Sequence, residues 1–325
     1  MHTETTQEEA EQQLDAQTGL LYGLLRSRGI VGLLHGRLGR IDKALISAGI
    51  EFDAVFSKSK YHSIELSVKA VREGYRHLIA VGGDGTIHEV VNGIFFQKEV
   101  PPHEITLGVI PAGSGNDWVR MYNIPADYTT CAQIIASGHT KRQDICRVDV
   151  FESMVPQTRY LMNGCGIGLD AAICRECNSM KERGKEGKFI YVQAAARSFF
   201  KMRSSMFRIE VDGKLYFQGK ALSVALANGV YSGGGMIQAP DAVMDDGLIN
   251  VTVIGNMTKP EILVRFKELF TGRIYDIPDI SHTTGKHVKI DILDGEQPIE
   301  VDGEVIGTNP LELTVLPKAL NVCVR

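Results

Sequence analysis

The chain has 325 residues, with 35 Lys and Arg against 39 Asp and Glu and a formal net charge of −4. At roughly 100–200 residues per domain, this length predicts two domains, each large enough to bury its own core. The near-neutral charge argues against a protein that holds nucleic acid electrostatically. No stretch approaches the roughly 18 uninterrupted apolar residues of a membrane span, so we expect a protein that does not cross a membrane.

The cysteines and the first residues of the chain bear on its compartment. Six cysteines are scattered over the whole length, which predicts reduced thiols rather than a disulfide framework. The first fifteen residues contain five acidic residues and no Lys or Arg, the opposite of a secretory leader. We therefore expect a cytoplasmic protein.

The first part of the chain alternates helical and strand patterns. Residues 41–48 and 63–73 place apolar side chains at helical spacing, and residues 50–56 alternate as a strand does. Short apolar runs at 78–81 and 106–110 are typical of buried parallel strands. This alternation predicts an open, mostly parallel α/β sheet in a first domain at residues 1–127.

From about residue 143 the pattern changes to short alternating runs separated by turn residues such as Asp212-Gly213. Such a series predicts antiparallel sheets packed on each other. Two helical inserts interrupt it, at about 188–203 and 259–270. We therefore expect a β-rich sandwich domain at 128–317, with residues 318–325 returning to the first domain.

A glycine-rich loop follows the predicted strand at 78–81, within the sequence LIAVGGDGTIHEVVN of residues 78–92. Successive glycines let backbone N–H groups point into one concavity that suits phosphate oxygens, and the N-terminus of the following helix adds favourable partial charge. Asp84 suits such a loop if it holds a magnesium ion that bridges phosphates. The alternative is a plain strand-to-helix turn in which Asp84 or Thr86 caps the helix.

A second glycine loop, IPAGSGNDW at residues 110–118, follows the next predicted strand, and Asn116 or Asp117 is suited to cap the helix after it. Because the carboxyl ends of adjacent parallel strands meet at one sheet edge, where open α/β folds bind ligands, we expect the two loops to converge. The chain contains no GxxxxGK[ST] sequence, which excludes a P-loop NTPase.

Several motifs in the second half have more than one interpretation. Residues 163–170, NGCGIGLD, are interpreted as a packing turn, and VDGE at 301–304 by itself indicates a hairpin turn. The acidic segment at 239–248, APDAVMDDGL, suits either a hard cation or a capped hairpin. Residues 188–208 interleave aromatic and basic side chains, typical either of a core helix with a solvated face or of a surface that rests on anionic lipid.

Taken together and in this order, these motifs resemble those of the bacterial diacylglycerol-kinase-like lipid kinases, relatives of the sphingosine and ceramide kinases. The similarity runs from about Ile41 to the C-terminus and includes YSGGGMIQAPDAVMDDGLINV at residues 231–251. It implies a two-domain fold with ATP bound at the α/β domain and the lipid hydroxyl delivered from the interdomain cleft. The resemblance further implies that the phosphates of ATP are cradled by Gly82, Gly83, Asp84, Gly85, Thr86, Ile87 and His88.

The same resemblance assigns roles to residues outside the first glycine loop. Ser57 and Ser114 stand where the family usually has threonines that touch the nucleotide. Asp246 would ligate a structural magnesium ion together with the backbone carbonyls of Val243 and Leu248. Glu304 would accept the proton of the lipid hydroxyl, with Asp302 beside it.

The function that follows is an ATP- and Mg²⁺-dependent lipid kinase that phosphorylates a hydroxyl of diacylglycerol or a related membrane lipid, giving phosphatidic acid or an analogue. Its expected partners are ATP, the lipid and a membrane surface contacted peripherally; monomer and homodimer both stay open. One alternative is an NAD kinase, which shares Gly-Gly-Asp-Gly-Thr but continues with Asn-x-Gly-x-Leu-Gly. The other is a catalytically silent lipid-binding homologue, since the family's Asn-Pro-x-Ser/Ala-Gly loop is not found before Ile41.

Overall fold

The computed structural model describes residues 29–30, 38–113, 115–152, 154–182, 193–194, 197–198, 203–265 and 267–325. By its internal contacts the chain divides into two units, residues up to Arg142 with Leu320–Arg325, and Gln143–Ala319. The division falls after Arg142 rather than at residue 127, because the helix Tyr128–Ser137 packs on the strand Thr106–Pro111 of the first unit.

The first unit alternates strands and helices, as the sequence predicts. Its strands are β1 (Gly29–Ile30), β2 (Phe52–Asp53), β3 (His77–Gly82) and β4 (Thr106–Pro111). Its helices are α1 (Leu38–Ser47), α2 (His62–Arg72), α3 (Asp84–Phe96), α4 (Asp117–Met121) and α5 (Tyr128–Ser137).

Parallel pairing of β3 with β4 forms the centre of this unit. The register pairs Gly82 with Pro111, so both strands end at the same edge of the sheet. On its other side β4 pairs in parallel with Asn321 and Val322, which belong to the C-terminal segment of the chain. Every residue of β4 is buried, as expected for a strand covered on both faces.

The second unit is built mainly from antiparallel strands. Its helices are α6 (Leu169–Glu182), α7 (Lys259–Arg265) and α8 (Glu268–Thr271). Its strands are β5 (Thr140–Glu152, which begins in the first unit), β6 (Val155–Leu161), β7 (Gly164–Gly168), β8 (Ser205–Val211), β9 (Lys214–Ala227), β10 (Tyr231–Ser232), β11 (Met236–Ile237), β12 (Ile249–Gly255), β13 (Ile280–Gly285), β14 (His287–Ile292), β15 (Pro298–Val301) and β16 (Glu304–Cys323, which ends in the first unit).

The principal strand pairings of the second unit run β13-β12-β9-β7-β15-β16-β14-β8, and β8 also pairs with β9. Inward-facing side chains of these strands form one apolar core, with Phe207, Val251 and Leu313 among its buried members. The alternating patterns of the sequence therefore predicted the β-rich class of this unit correctly. Among the described residues, no helix is long and apolar enough to span a membrane.

Two local predictions differ from the structure, and a third lies mostly outside the described residues. Residues 163–170 are not a packing turn, because 164–168 form strand β7 and helix α6 begins at Leu169. The glycines fit this strand because side chains crowd it: a Cβ on Gly166 would lie 2.6 Å from Asp170 Cβ and 2.8 Å from Glu300 Oε1. The strand predicted at 50–56 is limited to Phe52–Asp53, and the predicted insert at 188–203 lies mostly outside the described residues.

Candidate functional site

The two glycine loops meet at the carboxyl edge of the β3–β4 pair, as the sequence predicted. Gly113 packs so closely on Gly83 that a Cβ added to Gly113 would lie 2.4 Å from Gly83 Cα. Ala112 N also donates a hydrogen bond to Gly82 O at 2.9 Å. Only glycine allows such close backbone contact, so the two loops form one continuous surface of main-chain atoms.

Asp84 joins the first loop to the helix that follows the second. Its Oδ1 accepts a hydrogen bond from Trp118 N at 3.3 Å, at the start of α4, whereas the N-cap residue of its own helix α3 is Gly83. Asn116 is the N-cap residue of α4 with a left-handed φ of 54°, and its Nδ2 donates to Gly113 O at 2.8 Å. The prediction that Asp84 or Thr86 caps α3 is therefore wrong, and the carboxylate of Asp84 contacts the start of α4 instead.

The residues predicted to surround the phosphates lie in different environments. Ile87 and His88 are fully buried, and Ile87 N donates to Gly83 O inside the helix, so these two side chains belong to the core. Gly82 is needed for packing, since a Cβ there would lie 2.3 Å from Thr86 Oγ1. Ser57 is buried in the irregular segment between β2 and α2, and Ser114 lies outside the described residues.

In the second unit, Asp302 is a buried anchor for the chain before β7. Its two carboxylate oxygens accept three backbone hydrogen bonds, from Met162 N at 3.0 Å, Asn163 N at 2.9 Å and Gly164 N at 3.0 Å. Asp302 N in turn donates to Gly164 O at 2.8 Å. These contacts indicate that the side chain positions the hairpin turn and is poorly placed to take up a substrate proton.

Replacement of Asp302 by Ala is expected to lower the free energy of unfolding by about 3 kcal/mol or more, because three buried N–H groups lose their acceptor. The left-handed φ of 49° adds strain for alanine. Asp302→Asn should be milder, since Asn tolerates this backbone and keeps one oxygen. Urea unfolding measures both variants, and an Ala variant within about 0.5 kcal/mol of the wild type would contradict the anchoring role.

The residues on either side of this turn are held by further contacts. Glu300 Oε2 accepts a hydrogen bond from Gly303 N at 2.8 Å. On helix α6, the Cys174 thiol donates to Gly303 O at 2.8 Å, and Asn178 Nδ2 donates to the same oxygen at 3.2 Å. The turn that leads into Glu304, the first residue of β16, is therefore held from both sides.

Two carboxyl groups, those of Glu300 and Asp170, flank Gly166 near this turn. Burial raises the pKa of Glu300 well above its ordinary value, and repulsion by the carboxylates of Asp170, Asp302 and Glu304 raises it further, against the opposing effect of the Gly303 hydrogen bond. Burial likewise raises the pKa of Asp170, whose carboxyl is hydrogen-bonded to Ser223 and Gln238. Burial thus disfavours the charged form at both positions, and at Asp170 the two hydrogen bonds oppose this rise in pKa.

The raised pKa of Glu300 predicts a pH-dependent stability. Between the ordinary value of 4.5 and the raised value, the folded chain binds a proton that the unfolded chain has lost, so the free energy of unfolding falls as pH rises. Glu300→Gln should remove this loss, and its stability relative to the wild type should grow from pH 5 to pH 8. Urea unfolding at pH 5, 6.5 and 8 tests this, with the exposed Glu152→Gln of β5 as control; a difference independent of pH would refute it.

A buried carboxylate of strand β5, Asp144, is joined to the acidic turn and was not predicted from the sequence. Asp144 accepts hydrogen bonds from Gly247 N and Lys318 N, both at 2.6 Å, and its own N–H donates to Met244 O at 2.7 Å. Burial raises its pKa, and the charges of Asp246 and Asp245 raise it further. In the sequence, an acidic residue at the start of the strand segment DICRV (144–148) was the signal that could have indicated a buried carboxylate.

This turn offers the donor type that magnesium prefers. Asp246 is exposed and its Oδ1 accepts from Leu248 N at 2.9 Å, while Val243 is 46% exposed and Leu248 half-buried. Carboxylate and backbone carbonyl oxygens are suitable ligands for a hard cation, and such a cation would offset the mutual repulsion of the acids. Within the described ranges, no cluster of three or more His, Cys, Asp or Glu side chains has an arrangement suited to a metal ion.

An apolar cavity lies in the second unit. Its wall is apolar except for Asp170, Gln238 and Arg265. The hydrogen bond between Asp170 and Gln238 places one polar contact against an otherwise hydrophobic surface. A cavity of this composition suits a ligand with a long apolar part and few polar groups.

The chain combines a parallel α/β unit that carries two joined glycine loops with an antiparallel β unit. Residues 32–148 match the model of the diacylglycerol kinase catalytic domain, and residues 164–324 match that of the YegS C-terminal NAD kinase beta sandwich-like domain. The chain belongs to the diacylglycerol kinase family of lipid kinases. These matches confirm the fold classes that the sequence predicted for both units.

Individual relatives agree with this family. A diacylglycerol kinase of Staphylococcus aureus (strain bovine RF122 / ET3-1) is 30% identical over 278 residues, which cover 86% of this chain and 84% of that protein. One from Staphylococcus carnosus (strain TM300) is 29% identical over 275 residues, 85% of each chain. A crystal structure of a diacylglycerol kinase from Bacillus anthracis, 20% identical, has the same fold with a TM-score of 0.65 over 90% of this chain and 92% of that one.

Proposed function

We propose that the protein transfers the γ-phosphoryl group of ATP, with magnesium, to a hydroxyl of diacylglycerol or a related membrane lipid. The observation that carries this proposal is the backbone contact between the two glycine loops at the end of β3 and β4. Backbone N–H groups at the N-terminus of a helix favour phosphate oxygens. The family membership favours a lipid kinase over the NAD kinase alternative.

The acceptor is proposed from the second unit. Its apolar cavity suits acyl chains, and the relatives named above are diacylglycerol kinases. With Asp302 engaged by backbone N–H groups, Glu304 is the better candidate for the proton acceptor of the pair. The acceptor oxygen forms the new bond to phosphorus, the bond between phosphorus and the leaving oxygen of ADP breaks, and the hydroxyl proton passes to Glu304.

Magnesium is proposed at the acidic turn, where Asp246 and the carbonyls of Val243 and Leu248 would hold it. There it would neutralise the charge of the acids and brace the turn, which Asp144 already ties to β5 and to Lys318. Asp84 stays a candidate for contact with a second, phosphate-bound magnesium, although part of its carboxylate is engaged by Trp118 N. The nucleotide loop and the acidic turn are thus separate proposals.

Transfer of labelled phosphate from ATP to lipids in mixed micelles tests the function. The panel contains diacylglycerol, phosphatidylglycerol, sphingosine and ceramide, each with magnesium and with EDTA. We expect magnesium-dependent labelling of diacylglycerol. Labelling of no lipid by folded protein would refute the proposal, and a thermal melt with ATP would then show whether a silent homologue still binds nucleotide.

A further inference from the structure

The helices α7 and α8 form one wall of the apolar cavity and also expose apolar side chains outward. Ile262 and Leu269 line the cavity. On the same two helices, Val264 is 69% exposed and Phe270 is 51% exposed, and neither belongs to the lining. This short segment therefore presents apolar side chains both to the cavity, beside Arg265, and to solvent.

The exposed charge of this segment is mainly positive. Lys259, Arg265 and Lys267 are exposed, and the side chain of Arg265 is 47% accessible. Of the two acidic residues between 259 and 271, Glu268 is only 12% accessible and lies 4.0 Å from Arg265, which leaves Glu261 as the exposed one. A local excess of basic side chains in a chain of net charge −4 matches a negatively charged partner surface.

Another exposed apolar site in the second unit lacks these properties. Met154 is 86% and Val155 is 55% exposed at the connection between β5 and β6. The charged residue beside them is the exposed Glu152, and neither side chain belongs to the cavity lining. At α7–α8 the exposed apolar side chains lie beside basic residues and next to the cavity wall. At this hairpin they have neither neighbour.

We propose that the outer face of α7–α8, formed by Val264, Phe270 and the basic residues Lys259 and Lys267, rests on an anionic lipid bilayer. Val264 and Phe270 enter the boundary between headgroups and acyl chains, while the basic side chains contact lipid phosphates. The lipid then passes beside these helices into the cavity that their inner face lines. Docking of this face on a bilayer does not depend on catalysis. Only the identity of the lipid that enters the cavity rests on the proposed function.

Co-sedimentation of the full chain with vesicles, without nucleotide, tests this surface. Vesicles of phosphatidylcholine with about one third phosphatidylglycerol should bind the protein, and pure phosphatidylcholine should bind it more weakly. Val264→Glu with Phe270→Glu should reduce binding to the mixed vesicles about tenfold or more, because carboxylates resist insertion among acyl chains. The matched control, Met154→Glu with Val155→Glu, should bind as the wild type does.

Thermal melts establish whether each variant is folded. If the double variant does not fold, the single variant Val264→Glu is used in the same binding test. Lys259→Glu with Lys267→Glu should abolish the preference for phosphatidylglycerol without changing an apolar side chain. Equal binding by wild type and the α7–α8 variants, loss confined to the hairpin control, or no vesicle binding by the wild type would each overturn the proposal. Because no ATP is present, failure of the kinase assay leaves this result unaffected.

Discussion

Replacement of Glu304 by Gln is expected to lower phosphoryl transfer to the lipid by about 10²–10⁴-fold, because the amide cannot take up the hydroxyl proton. ATP affinity should be largely unchanged, since the glycine loops lie in the other unit of the chain. Steady-state transfer of labelled phosphate gives the rate, and calorimetric titration with ATP and magnesium gives the affinity.

Two matched carboxyl variants decide whether the effect is specific. Glu312 lies in the same strand, is exposed and pairs with His287 at 2.8 Å, so Glu312→Gln should retain activity. Glu300→Gln tests another acid at this turn, four residues before Glu304. If Glu304→Gln stays within about threefold of the wild type while Glu300→Gln loses turnover, Glu300 and not Glu304 is the proton acceptor.

Gly113→Ala is expected to weaken ATP binding by about 10²-fold, because its Cβ would lie 2.4 Å from Gly83 Cα and 2.9 Å from Asn116 Oδ1. The nearest of these atoms belongs to the backbone of the other loop. The steric overlap can therefore be relieved only if the two loops move apart. Calorimetric titration with ATP and magnesium measures the loss. Gly83→Ala, whose Cβ would lie 3.1 Å from Gly113 Cα, should have a smaller effect.

The control for this prediction is Gly39→Ala in α1, where an added Cβ meets nothing within 4 Å. Its ATP affinity should equal that of the wild type, and its stability should be unchanged or slightly raised because alanine favours helix. An ATP affinity of Gly113→Ala within about threefold of the wild type would show that the contact between the loops does not shape the nucleotide site.

The sequence predicted correctly that the two glycine loops converge, because the pattern that indicates them is local. A buried apolar run followed by successive glycines is readable in one dimension, and parallel strands that neighbour in sequence end at the same edge. The contact of Gly83 with Gly113 then follows from the register of β3 and β4. The sequence did not indicate that His88 is fully buried. Its position after the glycines does not reveal whether the side chain faces the core or the loop.

The acidic residues of the second unit were harder to interpret. VDGE indicates a turn, but Asp302 acquires its role from N–H groups at residues 162–164, far away in the chain. Asp144 is joined to the turn at 244–247 in the same way. The Cys174 thiol, which has zinc-like spacing with Cys177, donates to the turn before Glu304. Such contacts depend on strand register over long separations, which no local pattern contains.

By itself the sequence determined the fold class of both units, the glycine loops and the family, because periodicity, glycine clusters and ordered motifs are properties of the chain alone. Tertiary structure decided which acids are anchors and which stay candidates for chemistry, because burial and hydrogen-bond partners exist only after distant strands pair. The apolar cavity and the exposure of apolar side chains on both sides of α7–α8 also arise only from tertiary structure. Leu169 and Ile280, for example, are far apart in the sequence and line the same cavity only in the folded chain.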